Sequence, residues 1–287
     1  MISLIKAKKS LGQNFLTDRG VARRIIDAVA PLEKDIIIEI GPGTGALTKL
    51  LVKRCGYLIA IEIDSRLADE LGRLIPADNI SIVNLDALTI DWNDYAKVAK
   101  NMLYPPRRDY PDRRRVRIVA NLPYNISTPI IEKLLPVGRR QLCDMTLMLQ
   151  KEVADRITTG PGSKEYGYLS VMVQYYCEAT KLFEVPPSAF TPAPKVRSAV
   201  IRLTVREQPA VEVADEKKFF ALVRAAFAQR RKTILNNLKA AARALEFTAA
   251  VESALEAASV SPQRRAETLS LAEFTDLYRE GYRPKGS

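Results

Sequence analysis

Asn121-Leu122-Pro123-Tyr124 places an amide side chain, main-chain carbonyls and an aromatic ring side by side. An exocyclic amine on adenine is a poor nucleophile because its lone pair is delocalised into the ring, and acceptors for its N–H groups localise that pair. The Asn121 side-chain oxygen and the Leu122 or Pro123 carbonyl each offer one acceptor. Tyr124 offers a face for the base to stack on, a contact worth about 1–3 kcal/mol. Attack on a sulfonium methyl expels a neutral thioether, so no general base must act before transfer, and alignment with preorganised dipoles carries most of the acceleration. An Asn-Pro turn with a half-buried Tyr is the plain alternative.

A second signal is Glu39-Ile40-Gly41-Pro42-Gly43-Thr44-Gly45, spaced GxGxG. Dinucleotide loops run GxGxxG and cradle a pyrophosphate on a helix N-terminus. The spacing here suits the amino-acid end and ribose of S-adenosylmethionine better, with Gly41 and Gly43 allowing close backbone approach. A ligand-free turn between strand and helix is the alternative. Tyr57 to Asp64 reads as a strand ending in an acid, where Glu62 can accept from ribose hydroxyls. Leu85-Asp86-Ala87 closes a third strand, and Asp86 can accept from the cofactor's adenine amine. Each acid taken alone also fits a solvated strand end. Phe190-Thr191-Pro192-Ala193-Pro194-Lys195-Val196 is a proline-braced loop in which Phe190 either sandwiches a flipped base against Tyr124 or is simply buried.

The elements that must position these residues are a set of short apolar runs. Ile36–Ile40, Tyr57–Ile63, Ile80–Leu85, Arg117–Ala120, Met145–Leu149 and Ala199–Val205 alternate with amphipathic stretches. That alternation predicts an α/β, doubly wound, mostly parallel sheet. Open parallel sheets bind ligands at the carboxyl ends of their strands, where the acids and Asn121 fall. Beyond residue 208 the spacing of Phe219, Leu222, Val223, Ala226 and Phe227 is helical. The reading is therefore a catalytic domain over 1–207, with a basic N-terminal arm, and a small helical domain over 208–287. Ser270-Leu271-Ala272-Glu273 reads as a capping box opening a last helix.

The 287 residues contain no His, which excludes Ser-His and Cys-His nucleophiles, imidazole bases and His-ligated metals. Three scattered cysteines, Cys55, Cys143 and Cys177, form no CxxC pair, so no metal and no disulfide framework is expected, in keeping with a cytoplasmic protein. No apolar run approaches the length of a membrane span, and no export signal is read at the start. Lys plus Arg number 44 against 33 Asp plus Glu, a net charge of +11 that favours a polyanionic partner. The basic residues crowd the first 24 positions and residues 107 to 117, where six Arg fall.

The whole set resembles the KsgA-type ribosomal RNA adenine dimethyltransferases. Lys9-Ser10-Leu11-Gly12-Gln13-Asn14-Phe15-Leu16, Gly41 to Gly45, Asn121 to Tyr124, Phe190 to Val196, Phe227-Ala228-Gln229-Arg230-Arg231-Lys232-Thr233 and Arg265-Ala266-Glu267-Thr268-Leu269-Ser270 carry the match. The resemblance implies a Rossmann-like class I methyltransferase that dimethylates two adjacent adenines in the hairpin near the 3′ end of 16S ribosomal RNA. It implies action as a monomer on the small subunit or its precursor during ribosome biogenesis. Asn14, Leu16, Gly41, Glu62, Asp86 and Asn121 would line the cofactor site, with Gln13 shaping it. Asn121, Tyr124 and Phe190 would hold the base. The Pro- and Arg-rich Tyr104 to Arg115 departs from the family's expected length, and is either an RNA contact or a solvated insertion. Three other readings compete. Erythromycin-resistance enzymes modify large-subunit RNA, but Gln229 to Lys232 and Glu267 to Ser270 favour the small-subunit enzymes. A DNA adenine methyltransferase would need a larger recognition domain. A non-catalytic nucleic-acid binder would have no need of Glu62, Asp86, Asn121 and Tyr124.

Overall fold

A computed structural model describes residues 6–95, 99, 115–138 and 141–283. Tyr104 to Arg114 lie outside the described residues, and Arg115 enters as the first residue of a strand.

The chain divides into two compact units, one of residues 1–154 with 178–207 and one of 155–177 with 208–287. The first unit is built on a seven-stranded sheet. Its strands are β2 (Asp35–Ile40), β3 (Tyr57–Glu62), β4 (Ile80–Asn84), β5 (Arg115–Asn121), β6 (Leu142–Gln150), β7 (Cys177–Val185) and β9 (Ser198–Val205), in the order β4-β3-β2-β5-β6-β9-β7. The strands from β4 through β6 are parallel, and β9 runs antiparallel to β6. Every residue of β2 is buried, as expected of a strand covered on both faces. Helices α1 (Arg19–Val29), α2 (Thr48–Leu51), α3 (Ser65–Leu74) and α4 (Ser127–Leu134) belong to this unit. Asp18 caps α1 by accepting from the Gly20 and Val21 amides at 2.7 and 3.0 Å.

The strand order reverses between β2 and β5. The chain leaves β2 in one direction to make β3 and β4, then returns to β2's other side for β5 and β6. Such a switch point opens a crevice at the carboxyl ends of the two neighbouring strands. Gly41 to Gly45 follow one of those ends and Asn121 to Tyr124 the other.

A two-stranded pairing joins the N-terminal segment to the proline-braced loop: β1 (Phe15–Leu16) lies antiparallel to β8 (Phe190–Thr191), with Leu16 opposite Phe190. The opposite end of the main sheet holds a buried ion cluster. Arg117 donates to Asp35 and Asp144 at 3.0 Å and to the Val29 carbonyl at 2.7 Å. Arg117 was counted above with the basic cluster at 107 to 117. Only 4% exposed, it is instead a core residue neutralising two acids.

The second unit contains α6 (Tyr168–Tyr176), α7 (Glu216–Ala226), α8 (Ile234–Leu245), α9 (Val251–Ala257) and α10 (Leu271–Gly281), while α5 (Lys151–Thr158) spans the division. Tyr166, Tyr175, Phe219 and Phe274 are fully buried within it. The capping box at α10 is formed, Ser270 accepting from the Glu273 amide and Glu273 from the Ser270 amide. Phe274, Leu277 and Tyr278 are its buried face. Among the described residues no helix is long and apolar enough to cross a membrane, and no group of His, Cys, Asp or Glu is placed to hold a metal.

Candidate active site

An open cleft with about 890 Å³ of empty space, its mouth included, lies at the carboxyl ends of β2 to β5. Asn14, Leu16, Gly41, Gly43, Glu62, Asp86, Asn121, Leu122, Pro123 and Tyr124 all line it, and so does Gln13. Every residue assigned above to cofactor or base is thus brought to one cavity, except Phe190. That side chain is 3% exposed and packs in the hydrophobic cluster with Leu16, Ala189 and Val200. It lies behind the wall that β1 forms.

The glycine loop and β3 are joined through Glu62. Its carboxylate accepts from the Gly43 amide at 3.0 Å and from the Asp64 amide at 2.9 Å. Gly43 holds φ at +58°, and a Cβ there would stand 3.1 Å from the Phe15 ring, so a side chain would strain the backbone and crowd the strap across the cleft. Burial raises the Glu62 carboxyl above its ordinary value, and the two amides pull it back. Asp64, the other acid at this strand end, is committed elsewhere. It caps α3 and accepts from Arg66 at 2.7 and 3.0 Å, Lys8 at 3.2 Å and Gln13 at 3.5 Å. The Arg66 guanidinium above all, then Lys8 and Gln13, hold its carboxyl well below the usual range. Those contacts fasten the N-terminal segment to β3, and Gln13 also accepts from the Lys8 amide at 2.7 Å.

The same segment orients Asn121. The Asn121 Nδ2 donates to the Asn14 carbonyl at 3.1 Å, which commits the amine side of the amide and leaves Oδ1 as an acceptor. The close approach depends on Gly12, whose φ is +63° and where a Cβ would come within 2.6 Å of Asn125 Oδ1. In the turn after β5, Ile126 donates to the Pro123 carbonyl at 3.1 Å and Ser127 Oγ to the Tyr124 carbonyl at 3.2 Å. Tyr124 is half-buried, with its hydroxyl 2.7 Å from Ser198 Oγ. Asp86 accepts from the Leu88 amide at 2.8 Å through Oδ1 only.

Glu39 is a site residue that motif reading passed over. It lines the cleft, is 2% exposed, and its Oε2 has no hydrogen-bond partner. Burial pushes its carboxyl up to about 8, with the Thr48 hydroxyl pulling against that and the nearby Glu62 adding to it. The signal was present in Ile36-Ile37-Ile38-Glu39-Ile40, where one acid interrupts a fully buried strand.

Electrostatics narrows the ligand. The described lining includes three carboxylic acids, Glu39, Glu62 and Asp86, and no Lys or Arg. A polyphosphate would meet repulsion with no neutralising cation, whereas a ligand bearing positive charge finds acceptors in apolar walls. The acids and the amide acceptor fit a ligand that carries positive charge and hydrogen-bond donors.

Ribosomal RNA small subunit methyltransferase A of Anoxybacillus flavithermus is 47% identical over 96% of this chain and 90% of its own length. The protein of that name from Geobacillus thermodenitrificans is 48% identical over 94% of this chain and 89% of its own. Among solved structures, a dimethyladenosine transferase from Plasmodium falciparum superposes with a TM-score of 0.70 at 26% identity, over 92% of this chain and 95% of that one. The 23S rRNA methyltransferase ErmE superposes with a TM-score of 0.66 at 27% identity, over 93% and 99%. The fold is the Rossmann-like one of class I methyltransferases, with a C-terminal helical region. Residues 4–277 match the family model described as ribosomal RNA adenine dimethylase, and this chain belongs to that family.

Proposed function

We propose that this enzyme transfers methyl groups from S-adenosylmethionine to N6 of two adjacent adenines in the 3′-terminal hairpin of 16S ribosomal RNA, dimethylating each. The small subunit or its precursor is the substrate, and the chain acts on it as a monomer in the cytoplasm. The observation that carries the chemistry is the acid-lined cleft meeting an oriented Asn121 at one switch point. The small-subunit assignment draws on the relatives that share 47–48% identity, against 27% for the large-subunit enzyme.

S-adenosylmethionine, once bound, supplies an electrophilic methyl group on a positively charged sulfur. Glu62 offers acceptors for the ribose hydroxyls, and Asp86 keeps Oδ2 for the adenine amine. Glu39, whose carboxyl is held protonated by burial, would ionise beside the cofactor's positive charge. Asn14, Leu16, Gly41 and Gly43 form the walls against which it lies.

For the target base, Asn121 Oδ1 accepts one N6 hydrogen. The Pro123 carbonyl is already engaged by Ile126, so the Leu122 carbonyl is the second acceptor. Holding both hydrogens localises the nitrogen lone pair and aims it, which is catalysis by positioning and fixed dipoles. The nitrogen becomes cationic on accepting the methyl and then sheds its proton to water, so a chain without His needs no substitute base. Tyr124 stacks on one face of the flipped adenine. Phe190 supports Leu16 through the β1–β8 pairing. The second unit, with Arg231 and Lys232 exposed, serves as the ribosome-binding part.

Mass spectrometry of ribosomal RNA fragments tests the reading. Unmethylated small and large subunits are incubated separately with enzyme and cofactor. Two adjacent dimethylated adenines near the 3′ end of 16S RNA are expected. Modification only in large-subunit RNA, or none in either, overturns the assignment.

A further inference from the structure

The proline-braced loop does not present Phe190 to the cleft, yet it runs directly into a residue that touches the site. Ser198 opens β9, opposite Gln150 at the end of β6, and is 0% exposed. The residue before it, Arg197, is held by two bonds. The Lys151 amide donates to the Arg197 carbonyl at 2.9 Å, and Arg197 Nε donates to Glu184 at 2.9 Å. A serine hydroxyl at such depth is costly unless bonded, and this one lies 2.7 Å from the Tyr124 hydroxyl.

We propose that Ser198 is a positioning residue, orienting the Tyr124 ring for the target adenine. Tyr124 is then held at both ends. Its main chain is fixed by the turn bonds from Ile126 and Ser127, and its hydroxyl is fixed by the main sheet. A ring tethered at one end only can swing about χ1 into the empty cleft. With the hydroxyl tethered, its face stays open to an incoming base, so less ordering remains to be done on binding. Burial also raises the Tyr124 hydroxyl above its ordinary value, so it stays neutral and able to donate. The inference explains why a tyrosine serves where stacking alone would accept phenylalanine. It also gives the Phe190–Val196 segment a second task, delivering Ser198 to the sheet.

The inference rests on the proposed function, in which Tyr124 stacks on the target base. It is tested by a double-mutant cycle of Ser198→Ala and Tyr124→Phe, reading kcat/KM on unmethylated small subunits and Kd for the cofactor. Each single variant is expected to lose about five- to tenfold in kcat/KM with cofactor Kd unchanged, and the double variant to lose no more than either. Ser198→Ala costing the same factor in the Tyr124→Phe background as in wild type would mean packing alone, and would overturn the proposal. So would an unaffected Ser198→Ala enzyme. Wild-type protein inactive on both subunits would count against the proposed function instead. A crystal structure of Ser198→Ala then decides the positioning role: a displaced or multiply placed Tyr124 ring supports it, and an unmoved ring overturns it.

Discussion

Both ends of the sheet bury acids, and they treat them in opposite ways. At the amino ends of β2, β5 and β6, Asp35 and Asp144 share one guanidinium, and Arg117 makes further bonds to main-chain carbonyls. At the carboxyl ends, Glu39 and Glu62 are buried with no cation among the cleft's described lining. The two ends of β2 are Asp35 and Ile40, so the contrast is drawn within one strand. A fold that needs only stability neutralises its buried charges. One that leaves them open keeps a site for something positive, which destabilises the ligand-free state and favours the loaded one.

Breaking the paired end gives the largest effect. Arg117→Ala strands two buried acids and is expected to cost about 3–5 kcal/mol of stability, read by urea unfolding. A variant of wild-type stability would show that the acids need no cation. At the open end, Tyr124→Ala is expected to cost about 1–3 kcal/mol of RNA-dependent transition-state stabilisation, with cofactor affinity unchanged. A matching loss of cofactor affinity would contradict that role.

The pH dependence of the open end gives a third test. The Glu39 carboxyl rises from 4.5 to about 8 in the folded protein, so the fold holds this proton more tightly than the unfolded chain does. That contribution is complete below the unfolded value and is lost as pH climbs through the folded one. Wild type should therefore lose stability relative to Glu39→Gln between about pH 4.5 and about 8. Parallel stability curves for the two would mean that Glu39 is already charged.

The same contrast explains what the sequence disclosed. Continuous apolar runs such as Ile36–Ile40 and Met145–Leu149 announced the central strands, because a strand buried on both faces has nothing polar to hide. β7 escaped notice: Cys177-Glu178-Ala179-Thr180-Lys181-Leu182-Phe183-Glu184-Val185 mixes exposed charge with partial burial at the sheet's edge. β1 and β8 are too short for any period to register. The cleft was legible wherever a motif recurs at a strand end, as with Gly41, Glu62, Asp86 and Asn121. Glu39 and Ser198 were passed over because their importance lies in burial and, for Ser198, in one partner, which spacing does not encode. Arg117 failed in the opposite sense, since composition counts a charge without saying which way it points. Phe190 is a related case, for its short β8 strand turns an aromatic in a rigid loop toward the core.

In the proposed reaction Asn121 acts on the nucleophile while neighbouring residues hold the cofactor. Single-turnover methyl transfer and cofactor affinity, measured on the same preparation of Asn121→Ala, test it most directly. Transfer is expected to fall by about 10²–10³-fold, with cofactor affinity within about tenfold of wild type. Transfer at the wild-type rate, or a loss accounted for wholly by weaker cofactor binding, would contradict it.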